Sequence, residues 1–507
     1  MTSPGSRLHV RLVTFATAVL AVAGACSSPP GQTSAPPSRQ PVDTEAMVRG
    51  PIASTAQPGD PSHAYTFYAT PMDLRKAGYV EQEYFVSGTA TRFPSNPADP
   101  MTSSGPMGTM PYTTRIVVRR PADPGRFTGV VVVDWQNVTA GHDIDTEWSG
   151  SGDFFVRSGW AWVGASVQRV GVNGANPGPT AGLGLKQWSP SRYAPLDLTA
   201  GGTVNDDSQS FDVFSQIGAL ARHAGPGVDP FRGMNVRRVY GAGVSQSARF
   251  LVLFYNTIQP QAKVYDGFLV GLGGPRVRTD VATKMLRVNT ETDVWRGQGD
   301  PAIRIGDTQF VHQWEIAGGS HVPAAAVSTT PGDPRADLGW IQQREYGQAQ
   351  ALSCANPGPS DVEDWAVFHS AYSALDRWVG AGQAPPEATP IRVNGPNAAP
   401  AGTWSIVRDA DGLAVGGIRL PKVAVPVALN NGENEPASLS NPLNGFCVLY
   451  GTHRPYDAAT LASLYGSHAA YVSRVTQTVD TLVTQGFLLR ADGDTLLESA
   501  RSSNVGT

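Results

Sequence analysis

The stretch "VYGAGVSQSARF", residues 239–250, decides how this chain is read. Its first residues close a strand-like run. Gly243-Val244-Ser245 then makes a Gly-x-Ser, and "QSARFLVLFYNTI" (246–258) follows as an apolar, buried helix ended by Pro260. A serine raised on a sharp strand-to-helix turn is one way to expose a nucleophile, in the pattern Gly-x-Ser-x-Gly. Here Ser247 stands where the last glycine belongs. Gly-x-Ser recurs at 164–166, 318–320 and 358–360, but only Gly243–Ser245 lies between a strand pattern and a helix pattern. Ser247 is therefore read as a small packing residue, not a second nucleophile.

Outward from that turn, strands and helices alternate. "RIVVRR" (115–120), "GVVVVDW" (129–135), "WAWVGASVQ" (160–168), "KVYDGFLVG" (263–271), "KMLRVNTETDV" (284–294) and "FVHQWEIAGGSHV" (310–322) carry strand patterns. "TEWSGSGDFFVRSG" (146–159), "FDVFSQIGALARHA" (211–224) and "WAVFHSAYSALDRWVGAG" (365–382) read as helices. The unbroken apolar run at 129–135 suits a strand buried on both faces. The alternation predicts an α/β fold, a mainly parallel central sheet with helices on both faces. The last quarter, 401–507, reads differently: a hairpin at 404–421, then a helix at 467–486 with Ser467 as N-cap and Gly486 past its end. It is expected to be an appendage packed on a main domain spanning 49–400.

A serine hydroxyl needs a base, an acid to orient that base, and donors for the oxyanion. The acid should end a later strand, and "NTETDV" offers Asp293, with Glu291 in reserve. The base should sit in a loop after the last strand, where His321 falls. His312 lies inside that strand and His369 in the following helix, so both read as structural. One oxyanion donor is the amide of Gln246. The other is expected from the loop Gln136–Val138, with Asn137 the choice. "GHDID" (141–145) reads as a polar loop opening a helix rather than a metal site, and "DADG" (409–412) as a turn, lacking the later acidic ligand of a calcium loop. No metal or organic cofactor is expected. The segment 169–207, with Trp188 and Tyr193, is the expected pocket wall or lid, because too little chain separates "YDGFLVG" from "KMLRVNTETDV" for a large cap there.

The 507 residues suffice for one large domain with additions. Charged residues are 16%, against about 25% in an average soluble domain. A net charge of −4 supplies no basic field, which argues against nucleic acid as a partner. Arg7 and Arg11 followed by the apolar run Leu12–Ala23 read as a signal peptide over 1–25, too short to span a bilayer. "AGAC" places Cys26 as in a lipobox, so lipidation of Cys26 and a Ser/Pro-rich tether over 26–48 are expected. Ala23 stands where leucine is commonest, and plain cleavage after Ala25, giving a secreted protein, is the alternative. Outside the cytoplasm Cys354 and Cys447 are expected to pair, with lipidation accounting for the third cysteine. Two separate buried thiols are the other option.

The stretches "GYVEQEYFVSGTA" (78–90), "VVVDWQNVTAG" (131–141), "FSQIGALAR" (214–222), "GVSQSARF", "VYDGFLVG", "NTETDV", "ALDRWVGAGQAPP" (374–386), "GGIRLP" and "LYGSHAAYVSRV" resemble a family of largely uncharacterised bacterial α/β-hydrolase-domain proteins. The resemblance runs from about Gly50 almost to the C-terminus. It implies an α/β-hydrolase fold, a Ser245–His321–acid triad, and an elbow in which Gly-x-Ser-Gln-Ser is normal. The resulting expectation is an exported, lipid-anchored serine hydrolase acting on small-molecule or lipid esters. The alternatives are an acyltransferase or amidase using the same triad, or a non-catalytic surface lipoprotein that kept the fold.

Overall fold

The computed structural model describes residues 45–506 apart from 98, 103–104, 175–183, 329–336, 347–351 and 397–401. Val42–Thr507 is one compact unit. Residues 1–44, with the expected signal peptide, Cys26 and most of the tether, lie outside the described residues. The far end of the tether needs correction. Met47–Arg49 forms β1, pairing antiparallel with the next strand through Val48↔Val86. Val48 is buried there and exchanges backbone bonds with Pro226 and Val228, so the folded region starts before residue 49.

Nine strands make the main sheet: β1, β2 (Tyr79–Thr91), β3 (Thr109–Pro121), β4 (Val130–Trp135), β5 (Ala161–Ala165), β6 (Arg238–Val244), β7 (Gly267–Gly271), β8 (Lys284–Thr290) and β9 (Val311–Ile316). Their order is β1-β2-β3-β5-β4-β6-β7-β8-β9. β2 and β3 are a long antiparallel pair, and β5 joins β3 antiparallel. From β5 through β9 every pairing is parallel. β4 is buried along its whole length. Its alternation divides the core, with Val131, Val133 and Trp135 on one face and Val130 and Val132 on the other.

Helices cover both faces. α2 (Ser210–Arg222) and α3 (Gln246–Thr257) pack on the Trp135 side. α1 (Thr146–Ser158), α4 (Trp365–Ala381), α5 (His468–Gln485) and α6 (Arg490–Arg501) supply the other core. α5 begins as its sequence suggests: Ser467 accepts from the Ala470 amide at 3.3 Å and Gly486 closes it at φ 84°. Among the described residues no helix is long and apolar enough to cross a membrane.

The chain after 400 is stitched into this unit. The predicted hairpin at 404–421 is a short one, with an Arg408↔Ala414 bridge around the "DADG" turn, while β11 (Trp404–Ile406) pairs with the earlier β10 (Val393–Pro396). A second small pair joins β12 (Ala428–Asn431) to β13 (Thr452–Pro455). Cys354 and Cys447 are disulfide-bonded.

Trp188 and Tyr193 do not form a lid wall. Tyr193 donates to Glu83 Oε1 at 2.8 Å and accepts from the Phe67 amide at 3.0 Å. Trp188 packs edge-on against Tyr65 and Phe67. Both are core side chains, Tyr193 anchoring its segment to β2 through Glu83 and Trp188 to the Tyr65–Phe67 stretch before β2, and their aromatic bulk explains why they read as pocket lining.

Candidate active site

β4 has β5 on one side and β6 on the other, and the helices leaving β4 and β5 lie on opposite faces. The carboxyl ends of β4 and β6 therefore bound a crevice, the usual ligand site of such sheets. Ser245 follows β6 directly. Its φ of 63° and ψ of −117° are a strained conformation for a residue with a Cβ, of the kind that costs about 1–3 kcal/mol and survives only where the surroundings enforce it. They do so here. The Ser245 amide donates to Gly271 O on β7 at 2.9 Å. Ser247, fully buried, donates to Val244 O at 2.8 Å and accepts from the Val244 amide at 3.0 Å, tying the helix's first turn to the strand it leaves. A Cβ at Gly243 would stand 3.3 Å from Ser247 Oγ, so the glycine and the serine share one small space.

The other two predicted residues converge on Ser245. His321 Nε2 lies 2.7 Å from Ser245 Oγ, and His321 Nδ1 lies 2.7 Å from Asp293 Oδ1. β8 ends at Thr290, and Glu291–Asp293 form a single helical turn. Asp293 Oδ2 accepts from the Thr290 amide at 2.8 Å and the Thr290 hydroxyl at 2.7 Å. Burial pushes the Asp293 carboxyl up, but the charge and hydrogen bond of His321 and the two Thr290 donors outweigh it and hold the group below the usual carboxylate range.

Glu291, the reserve acid, is directed elsewhere. It is fully buried and accepts from the Gly318 amide at 2.7 Å, the Gly432 amide at 3.0 Å and Arg408 Nη2 at 2.9 Å. Itself two residues before Asp293, and bonded to Gly318, three residues before His321, it clamps the acid loop to the histidine loop. Sequence could not show this, because Gly432 and Arg408 arrive from more than a hundred residues downstream.

Asn137 as an oxyanion donor is corrected. Its amide donates to Ile144 O at 3.2 Å within a two-residue bridge, so it points away from the crevice. Its side chain donates to Val244 O at 2.9 Å and fixes the loop against the elbow. The Gln246 amide opens α3, where a first-turn N–H has no intrahelical acceptor.

The remaining polar residues belong to the core or to ion pairs. In "GHDID", burial holds His142 down to about 3. Asp143 accepts from Ser166 Oγ at 2.5 Å, and Asp145 pairs with Arg119 at 2.6 Å, so the three do not converge. His312 pairs with Asp307 at 3.2 Å. His369 lies 3.2 Å from Asp153 and 3.1 Å from Asp492. Those three could geometrically hold a cation, but the Arg157 guanidinium sits 2.7 Å from Asp492, which makes the cluster an ion-pair network joining α1, α4 and α6.

A mainly parallel sheet with a strained serine after an inner strand, hydrogen-bonded to a histidine from beyond the last strand, defines the α/β-hydrolase class. This chain belongs to the alpha/beta hydrolase domain family, which matches residues 48–498. Among solved structures it is similar to a cold-adapted esterase from an Arctic intertidal metagenomic library, at 13% identity and a TM-score of 0.26, over 52% of this chain and 94% of that one. An esterase from Pyrococcus furiosus is similar at 12% identity and a TM-score of 0.26, over 54% and 96%. A serine hydrolase without a lid from Xanthomonas campestris is similar at 12% identity and a TM-score of 0.22, over 45% and 84%. No curated protein matches the chain.

Proposed function

We propose that this protein is an exported serine hydrolase that cleaves carboxylic esters. The observation carrying the proposal is the unbroken relay Ser245 Oγ–His321 Nε2 and His321 Nδ1–Asp293 Oδ1, each step 2.7 Å. Ser245 Oγ attacks the carbonyl carbon while Nε2 takes its proton. The carbonyl oxygen becomes an oxyanion facing the Gln246 amide. His321 then protonates the leaving alcohol and an acyl-serine remains. Water enters, gives its proton to Nε2, and frees the acid and Ser245. Asp293 keeps the proton on Nδ1, so that Nε2 is the base.

Export and anchoring are part of the same reading. They rest on Arg7 and Arg11, the apolar run Leu12–Ala23 and Cys26. Radiolabelled palmitate should enter the wild type and not Cys26→Ala.

The decisive experiment combines a fluorophosphonate probe with a panel of short and long acyl esters. The expected result is one adduct at Ser245, none in Ser245→Ala, and ester turnover lost in that variant. Equal labelling of both forms removes the enzyme reading. Transfer of the acyl group to an added alcohol in preference to water would make it an acyltransferase.

A further inference from the structure

The loop after β4 offers four consecutive amides near the elbow, and three are committed. Gln136 donates to Ala165 O at 3.3 Å, Asn137 to Ile144 O at 3.2 Å, and Thr139 to Asn137 Oδ1 at 2.8 Å. The fourth, Val138, donates to a side chain of the elbow itself, Gln246 Oε1, through a long bond of 3.3 Å. Val138 is only 8% exposed, so without that acceptor its N–H would have little water to turn to.

The Gln246 amide is held in one sense. Its Nε2 donates to Gln168 Oε1 at 3.0 Å. The same Gln168 oxygen accepts from Trp135 Nε1 at 3.0 Å, and an indole N–H can only donate. Gln168 must therefore present oxygen there, Gln246 must present its NH2 to Gln168, and the Gln246 oxygen is left facing Val138. Gln168 Nε2 donates onward to Asp207 Oδ2 at 3.1 Å. The chain of amides thus runs from Asp207 through Gln168 and Gln246 to Val138.

We propose that the Val138 N–H is the second oxyanion donor, beside the Gln246 N–H, and that the Gln246 side-chain carbonyl is its placeholder. It keeps the amide aimed in the free enzyme and yields it to the substrate oxygen as charge develops. The exchange is favourable because a charged acceptor at about 2.7–3.1 Å binds an amide roughly twice as strongly as a neutral one. Gln246 then serves twice, through its backbone as a donor and through its side chain as a positioning residue. This inference rests on the Ser245–His321–Asp293 reading.

The test is Gln246→Glu, nearly the same shape. A carboxylate cannot donate to Gln168, grips the Val138 N–H as a charged acceptor, and sets a negative charge beside the oxyanion. With a p-nitrophenyl ester, kcat should fall about 100-fold, with KM within about threefold of wild type. Fluorophosphonate labelling of Ser245 should slow in parallel. Gln246→Met, which removes the acceptor without adding charge, should keep kcat at least about tenfold above Gln246→Glu. A merely structural role would lower both alike. Val138→Pro deletes the N–H directly, at a site whose preceding residue is already in extended pairing, and should also cost about 100-fold in kcat. Either Gln246→Glu or Val138→Pro folding with kcat within threefold of wild type overturns the proposal, as does an equal loss in Gln246→Glu and Gln246→Met. A wild type whose Ser245 forms no adduct would instead sink the triad reading on which the inference stands.

Discussion

Replacing Asp293 by asparagine should abolish catalysis while leaving the site's shape intact, for a reason visible in Thr290. Asp293 Oδ2 receives two donors from Thr290, the backbone amide at 2.8 Å and the hydroxyl at 2.7 Å. The hydroxyl could turn around, but the amide cannot. Asparagine must therefore place its single oxygen toward Thr290, since an NH2 there would face an N–H. Its NH2 then occupies the position 2.7 Å from His321 Nδ1. Nδ1 can answer only with its lone pair, so the ring proton moves to Nε2 and points at Ser245 Oγ. The base is gone although no atom has moved far. A wrong-tautomer substitution of this kind costs about 10⁴ in kcat, or about 5 kcal/mol of transition-state stabilisation. The assay is kcat for a p-nitrophenyl ester from pH 6 to 10, with thermal melting to show that the variant is folded. Activity should rise with hydroxide concentration as solvent base substitutes for His321. A folded Asp293→Asn variant within tenfold of wild type refutes the reasoning, and a larger loss in Glu291→Gln than in Asp293→Asn would hand the acid's role to Glu291.

Three further outcomes follow from residues outside the relay. Ser247→Gly restores the commoner elbow pattern but deletes two buried hydrogen bonds to Val244, so urea denaturation should show a loss of about 1–2 kcal/mol while labelling of Ser245 persists. Burial pushes the Glu147 carboxyl up to about 7. A raised folded-state pKa gives stability that is full below the unfolded carboxyl pKa and lost as pH rises through the folded value, so wild type should weaken between pH 5 and 8, and Glu147→Gln should flatten that slope, read from urea midpoints across the range. The Cys354–Cys447 bond closes a loop of 93 residues, so Cys354→Ser/Cys447→Ser should lose about 4 kcal/mol, with Ser245 labelling retained below the new unfolding midpoint.

What the sequence carried was local. A strand buried on both faces is a continuous apolar run at Val130–Trp135, and a nucleophile turn needs small residues where strand and helix meet, so β4 and the Gly243–Ser247 elbow could be read directly. Asp293 and His321 were legible because each follows a strand pattern and each is the chemistry the serine lacks. The failures were of direction and distance. Asn137 lies in the expected loop, but which amide of a loop faces a crevice depends on a pairing with Ile144 that no pattern displays. Trp188 and Tyr193 have pocket-like composition, and only their partners, Tyr65 and Phe67 for the first and Glu83 on β2 for the second, show them to be core. Thr290 and Gln246 were present in the quoted motifs, yet their side-chain roles depend on which atom of each faces which neighbour.

The same distinction changes the standing of the C-terminal segment, which composition presents as an appendage. Arg408 and the Gly432 amide hold Glu291, and Thr292 Oγ1 donates to Gly432 O at 2.7 Å, so two residues of the acid turn are fixed from beyond residue 400. The histidine loop is bound the same way: Ala317 donates to Ile418 O at 3.0 Å and Val322 to Leu449 O at 2.9 Å. His321 lies between those two bonds. β8 and β9 set Asp293 and His321 only roughly, because each residue lies past the end of its strand, where no ladder bond restrains the chain. A 2.7 Å relay needs both loops held against rotation, and the partners that hold them come from 408–449. The segment therefore acts as the outer wall of the acid–histidine pair, and the disulfide from Cys447 to Cys354 fastens that wall to the chain between β9 and α4. The family match includes this wall, running past the end of the parallel sheet to residue 498.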